Sequence, residues 1–467
     1  VAFPGREGRD ALRVPVTLFR SVPDRRRALL VATLLAFAVM ATLDVLRWNF
    51  WSYGADSGTF AQAILDTFGG MRNGIEQGTH YRFHWSPSLA LLWPLMAATR
   101  AVLAIQFVQV AATVAVAPLA YLLVAPRAGG QSALLVAILT LLYPPLLAIG
   151  WGEFHEVGLY APLVLGLVVS ADRKAWGWFA FCAIVACGIR EDTTLELAIA
   201  GIALATAGWR SRIAWASLAV LAIASDTFYY AVIVPRVGPW NPAHFYQYPF
   251  AAGPLALLVA PLLHPVAFVR EFFTFGRLTY LLEAFAPLAF LPFFSRWSLL
   301  ALPGLAIVLL ANDQLVYHMG NHYASLWSPW LIVGTAFAVA DRRAERWPQV
   351  AIAISAIVLI AFNPLHPAHF LKPNYRDLRS AEFSLESLPP HASVSTHDEW
   401  FTHIAAHDPN ATLNTITGTD YLVFADDYPN DEFQRAWLPR IRAEVAAHRY
   451  RAIYRIGDVV TYKRTGP

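Results

Sequence analysis

"RRRALLVATLLAFAVMATLDVLRWNFWSYGADSGTF", Arg25 to Phe60, sets a basic cluster before an apolar stretch and ends on an acid among small and aromatic neighbours. The apolar part is about twenty residues, enough to span a bilayer as a helix. It is longer than the roughly 7–15-residue core of a signal peptide, so it reads as an uncleaved first transmembrane helix. Such a helix delivers Asp56 to the membrane boundary. Taken alone, Asp56 is equally well a solvated loop acid or the N-cap of a helix beginning "DSGTFAQAIL". The chemical alternative is a general base held in a cleft, with Gly54 and Gly58 letting backbone approach a ligand closely.

The composition decides the class. Of 467 residues, 57% are hydrophobic and 14% charged, with 16 Trp and 29 Phe. Soluble domains carry about a quarter charged residues, so this is a polytopic membrane protein. A net charge of +3, scattered in short basic clusters, argues against nucleic acid as a partner. The basic residues are nearly all Arg, a usage typical of GC-rich bacterial genomes. Cys182 and Cys187 lie in one apolar run and face different sides of a helix, so they read as small buried hydrophobes.

Measured against the spanning length, the apolar runs give about eleven transmembrane helices. They lie near 28–47, 101–125, 132–149, 157–170, 175–189, 193–208, 212–234, 277–294, 298–311, 324–340 and 350–362. The shorter pieces 88–98 and 254–269 read as re-entrant or interfacial. Arg25–Arg27, Arg127, Arg173 with Lys174, Arg210 with Arg212, Arg296, and Arg342, Arg343 and Arg346 occupy every second connector. That is the positive-inside pattern and places the N-terminus in the cytoplasm. The expected division is a cytoplasmic segment 1–27, a membrane domain 28–363 with a long first outer loop 48–87, and an outer α/β domain 364–467. In the last, "ASVSTH", "DYLVFADD", "YRAIYRI" and "DVVTYKR" read as strands and 431–448 as an amphipathic helix.

The remaining outer connectors hold the unusual residues. His84 in "HWSP" precedes Pro87 and is suited to protonate a phosphate leaving group or bind a metal, although an interfacial histidine explains it as well. "EFHE" puts Glu153, His155 and Glu156 beside a spanning helix, where acids need partners. With Asp56, His155 and Glu156 are the candidates for a divalent cation. "RED", Arg190, Glu191 and Asp192, splits two apolar helices. It is either an internally paired turn or a polar cavity in which Arg190 clamps phosphate. "GNHY" supplies His322 and Tyr323 at the start of the tenth helix, where anions are favoured. Trp240, Tyr246 and Tyr248 suit stacking on sugar or isoprenoid, or simple interfacial anchoring. No motif is specific alone; five on one face suggest one cavity.

In order, "ADSGTF", "HWSP", "EFHE", "RED" and "NHY" resemble a family of predicted polytopic membrane proteins of bacteria and archaea. That family is known by a domain-of-unknown-function label and is grouped with the GT-C glycosyltransferases. The matching residues are Asp56, His84, His155 with Glu156, and Glu191 with Asp192. Ser57, Trp85 and Arg190 depart from the family's Leu, Phe and Lys, and "FHEVG" lacks its proline, which puts the role of Glu156 in doubt. The resemblance implies a mainly α, GT-C-like bundle with a small extracytoplasmic α/β domain, in a bacterial plasma membrane. It implies a polyprenyl-phosphate-linked sugar donor in the bilayer and an outer-face glycan, lipid or protein acceptor. Asp56 would be the general base. Glu153, His155, Glu156, Glu191, Asp192 and Tyr323 would surround the substrate, with His84, Arg190 and His322 as candidates to stabilise the departing phosphate. No cofactor is required beyond, at most, a divalent cation. A transporter or flippase is the main rival, although its ionisable groups belong through the midplane and on both sides. A non-catalytic anchor for the outer domain does not explain five loaded connectors.

Overall fold

The computed structural model describes residues 22–76, 78–238, 254–341, 347–361, 371–372, 378–413, 415–430 and 432–466. Its first helix is Val22–Asn49, about 42 Å at 1.5 Å per residue, against about 30 Å of hydrocarbon. Leu30, Val31, Leu34 and Leu35 are all more than half exposed on it. In water that stripe would be costly; against lipid tails it is not.

Three described helices are long and apolar enough to cross a membrane: Asp24–Asn49, Val102–Leu141 and Arg212–Val237. Five more apolar helices are shorter. The described residues therefore do not establish the expected eleven spans, and the reason is local. Val102–Leu141 breaks at Gly129, whose φ is 80°. The run expected at 132–149 stops at Leu141 because Pro144 and Pro145 open a separate helix, Pro144–Trp151. That expected at 277–294 ends as a helix at Phe285 and continues as two 3-10 turns containing Pro287 and Pro292. Between those turns Ala289 and Phe290 are left-handed, with φ of 48° and 55°. Hydropathy counts apolar side chains, whereas proline removes the N–H that a continuous helix needs. Arg342, Arg343, Arg346, Trp240, Tyr246 and Tyr248 lie outside the described residues.

The core gathers around Ser328–Ala340, in which every residue is buried. It packs on Val102–Leu141 and Tyr160–Asp172. A helix apolar on all sides belongs in such a centre.

The connector after the first helix contains the helix Ala55–Leu65 and a hairpin of β1 (Arg72–Asn73) and β2 (Gly78–Thr79). Near the C-terminus β3 (Val394–Thr396), β4 (Ala411–Leu413), β5 (Tyr421–Ala425), β6 (Tyr450–Ile456) and β7 (Val459–Arg464) form one sheet in the order β4-β3-β5-β7-β6. β3 is parallel to β4 and β5, and β7 is antiparallel to β5 and β6. The four expected strands are present; β4 is additional, too short to stand out as a pattern. Residue 431 is not described. The helix expected from it is a π turn, Phe433–Trp437, leading into Leu438–Ala446.

This sheet unit sits on the helix that carries Asp56. A Cβ on Gly58 would lie 2.8 Å from the Phe401 ring and 2.9 Å from Thr402 Cα, so only glycine allows the contact with helix Asp398–Ile404. Gln62 Nε2 donates to the carbonyls of Asp408 and Ala411, at 3.0 and 3.1 Å. His403 is held between the rings of Trp48 and Trp51, at 3.8 and 4.0 Å.

Candidate active site

Asp56 is not the N-cap that the sequence allowed. The helix starts at Ala55 with Gly54 as its cap residue, which has no side chain to offer. Glu153 supplies the cap from a distant connector: it accepts the Gly54 N–H at 2.7 Å and the Ser57 N–H at 3.2 Å. A Cβ on Gly54 would lie 2.4 Å from Glu153 Oε1. Arg47 approaches the same carboxylate at 3.9 Å. Glu153, expected as a substrate group, thus caps and orients the Asp56 helix. Burial, and then the charge of Asp56, push its carboxyl above the usual range.

Polar residues inside the long helix secure this arrangement. Gln106 Nε2 and the Phe154 N–H both donate to Ser57 Oγ, at 3.1 and 3.0 Å. Gln109 accepts the His155 N–H at 2.9 Å and donates to the Glu153 carbonyl at 3.0 Å. In "VLAIQFVQV" they stand three apart on one helical face, a signal of inward polar residues that the reading of connectors passed over. Arg47 was taken for a helix boundary, and its partner Glu153 is distant in sequence.

Asp56 Oδ2 meets His155 Nε2 at 3.3 Å. The Asp56 side chain is 61% accessible but lies deep enough among protein groups that desolvation acts on it. Burial opposes its charge, but the hydrogen bond and charge of His155 outweigh this and hold the carboxyl below its ordinary value. For His155, burial is likewise outweighed by Asp56, and its pKa is raised. The other ring nitrogen, Nδ1, lies 3.2 Å from the Glu153 carbonyl, which only an N–H can satisfy. An imidazole with Nδ1–H so committed meets a carboxylate favourably through Nε2 when that nitrogen is protonated too. The pair is an imidazolium–carboxylate.

Around it the expected residues form a continuous cluster. The His155 ring stacks on His322 at 3.6 Å, and His322 leans on Tyr323 at 4.2 Å. Asn321 precedes a 3-10 turn, His322–Leu326, and the helix begins only at Ser328, so "GNHY" is not a helix N-terminus. Burial, then the charges of His155, Arg190 and His84, keep His322 well below the usual imidazole range, hence neutral at pH 7. His84 Nδ1 pairs with Glu191 at 2.9 Å, and the Trp85 N–H reaches the other Glu191 oxygen at 2.8 Å. Burial is there outweighed by Glu191, which raises the His84 pKa. Phe60, one turn beyond Asp56, packs edge-on against both His155 and His80.

Two expectations change. Arg190 is buried and its fork is occupied: it grips Asp192 through Nε and Nη2 and lies 3.5 Å from Glu156. Within the triplet Arg190 pairs with Asp192 while Glu191 pairs with His84, so the turn is only partly paired internally and Arg190 is not a free phosphate clamp, because a buried guanidinium needs compensating charge. Glu156 is fully buried against Arg190. Asp56, His155 and Glu156 consequently do not converge as a ligand set. Among the described residues no three His, Cys, Asp or Glu side chains group to hold a metal ion.

The sheet unit also reaches the site. The Thr402 hydroxyl donates to the Gly54 carbonyl. Asp398, one turn earlier, shares that helical face. Burial, and then the charge of Asp56, raise its carboxyl. Nothing in "THDEWF" marked it as a neighbour of Asp56, since the contact exists only after docking.

An apolar groove of about 440 Å³ lies beside the polar cluster, between Leu91, Phe181, Ile184 and Leu221. Ser225 lines it and accepts the Trp85 indole N–H at 2.8 Å.

No curated protein matches the chain. Among solved structures, ArnT from Cupriavidus metallidurans bound to undecaprenyl phosphate superposes with a TM-score of 0.54 at 10% identity, covering 93% of this chain and 99% of that one. The Archaeoglobus fulgidus oligosaccharyltransferase in its apo form gives 0.46 at 13% identity, over 94% and 74%. The profile of the DUF2079 predicted membrane proteins matches residues 47–416, most of the chain and all of the cluster around Asp56. The chain belongs to that family, and its fold is that of the GT-C glycosyltransferases.

Proposed function

We propose that this protein is a membrane glycosyltransferase that moves a sugar from a polyprenyl-phosphate donor to an acceptor hydroxyl at the outer face, with Asp56 as general base. The observation that carries the proposal is the Asp56–His155 pair, with the Asp56 carboxylate exposed and His155 stacked on His322, which leans on Tyr323. The charge pattern of the connectors supports an outward cavity and a cytoplasmic N-terminus. ArnT is a solved protein of this fold with undecaprenyl phosphate bound, which supports a polyprenyl phosphate here. The apolar groove ending at Ser225 and Trp85 suits the isoprenoid chain, with its phosphate toward His84.

In the transfer the acceptor oxygen bonds to the anomeric carbon as the bond from that carbon to the phosphate oxygen breaks. The hydroxyl proton passes to Asp56, and polyprenyl phosphate departs with the electron pair. The lowered pKa keeps Asp56 ionised; it takes the proton late, once attack has made the hydroxyl acidic. His155 holds the carboxylate in place. His84, cationic beside Glu191, and neutral His322 are the donors available to the leaving phosphate. No step is assigned to a metal.

The test is transfer from a radiolabelled polyprenyl-phosphate sugar pool by the purified chain and by Asp56→Asn. Product from the wild type alone supports the proposal. Equal rates remove Asp56 as the base. Flux into proteoliposomes with no covalent product would point to a transporter instead.

A further inference from the structure

The far end of the first helix holds a second charged feature that the transfer does not use. A cavity of about 690 Å³ opens there, lined by Arg25, Arg26 and Leu29 of that helix, Tyr121 and Leu122 of Val102–Leu141, and Arg173. Its size falls within the roughly 300–1,000 Å³ of ligand pockets. Arg25 is packed into the wall: a Cβ on Gly130 would lie 3.2 Å from both its Cδ and the Tyr121 hydroxyl.

Among the described residues the charges in this cavity are not compensated. Asp172, next to Arg173, is held by Arg127 at 2.5 Å and Arg210 at 2.6 Å. Among the described residues, no carboxylate lies within ion-pair distance of Arg25, Arg26 or Arg173. Three guanidinium groups converging on one concavity repel each other, more strongly where protein and lipid displace water. An anion relieves that repulsion, and Arg forks match phosphate oxygens. The opposite wall is apolar. On the helix of Arg25 and Arg26, Leu29 also lines the cavity, and Leu30 and Leu34 beyond it are exposed, 58% and 57% accessible. A soluble anion has no use for that surface; a headgroup with chains attached does.

We infer that this cavity binds the phosphate headgroup of an anionic membrane lipid in the leaflet opposite Asp56, its chains lying along the first helix. Basic pockets between membrane helices take such headgroups generally. Assigning that leaflet to the cytoplasm rests on the orientation proposed above; the binding itself does not.

The experiment uses native mass spectrometry of the detergent-purified full chain with phosphatidylglycerol, acyl-matched phosphatidylcholine, or inorganic phosphate. Phosphatidylglycerol should bind about a hundredfold more tightly than phosphatidylcholine, since each arginine contributes to the attraction. The combined Arg25→Gln, Arg26→Gln, Arg173→Gln variant should lose that preference. Leu122→Glu, which sets a carboxylate among the arginines and keeps every one of them, should lose it as well. Arg212→Gln, a basic change outside the cavity, should leave it within about twofold. Equal binding of the two lipids, or preference retained by Leu122→Glu, overturns the inference. Saturable binding of phosphate without lipid preference overturns it in favour of a soluble anion. Because no transfer is measured, a chain that retains lipid but moves no sugar would sink the proposed function and leave this site standing.

Discussion

The two ends of the first helix treat charge in opposite ways. Beyond its C-terminal end nearly every ionised group has a designed partner: Asp56 with His155, His84 with Glu191, Arg190 with Asp192 and Glu156, Glu153 with backbone amides. At its N-terminal end three arginines share a cavity with no described carboxylate in reach. In the proposed transfer the first end is organised in advance, because paired groups hold defined geometry and protonation before substrate arrives. The second is incomplete without a ligand. Charged residues near a membrane are therefore informative chiefly through their partners.

The sharpest break in this comparison is Asp56→Asn. It should cut the transfer rate about a thousandfold, as expected for loss of a general base, while phosphatidylglycerol retention at the other end stays unchanged. Gly54→Ala comes next. The new methyl, 2.4 Å from Glu153 Oε1, displaces the cap, and thermal unfolding should report a loss of about 1–3 kcal/mol. Transfer should fall more than tenfold, roughly, since misplacing a catalytic group by about 1 Å is that costly. Thr402→Val removes only the hydrogen bond to the Gly54 carbonyl. A loss of about 1 kcal/mol is expected by chemical denaturation, with a fall of about fivefold in transfer. A full-rate Thr402→Val enzyme would show that the sheet unit does not brace the site.

The smallest effect is a pH dependence. Asp56 is held below its ordinary 3.8, so its share of the ion pair is present above that pH and lost only as pH falls through the lowered value. His155 is raised above 6.5, so its share is full below 6.5 and lost as pH rises through the raised value. The stability gap between wild type and Asp56→Asn should be widest between about pH 3.8 and 6.5 and narrow in alkali. Melts at pH 6 and pH 9 compare the two; a gap that widens at pH 9 would contradict the imidazolium–carboxylate assignment.

Much of the site was legible because membranes penalise charge. "EFHE" and "RED" stand out only because apolar sequence surrounds them, and both lie at the cluster. Their division of labour was not legible. Glu153 and Glu156 differ by three positions, yet one caps the Asp56 helix and the other neutralises a buried arginine. Glu191 and Asp192 are adjacent and bind His84 and Arg190 respectively. Such choices depend on side-chain direction after packing. Helix lengths were misread for a related reason, since runs such as 277–294 keep their hydropathy through the prolines that end the helix.

The family resemblance made Asp56 the residue to test first; composition and order alone determined that this is a membrane protein with its polar residues gathered in a few connectors and a C-terminal strand-rich unit. Those conclusions rest on transfer free energy, which sums over residues and needs no coordinates. Tertiary structure alone decided that Glu153 caps the helix of Asp56, that Arg190 is already occupied, and that the sheet unit brings Thr402 and Asp398 to the site. It also decided that Arg25, Arg26 and Arg173 meet in one cavity. Hydrogen bonds and ion pairs act over a few ångströms between residues up to 349 positions apart, and only the folded chain sets those distances.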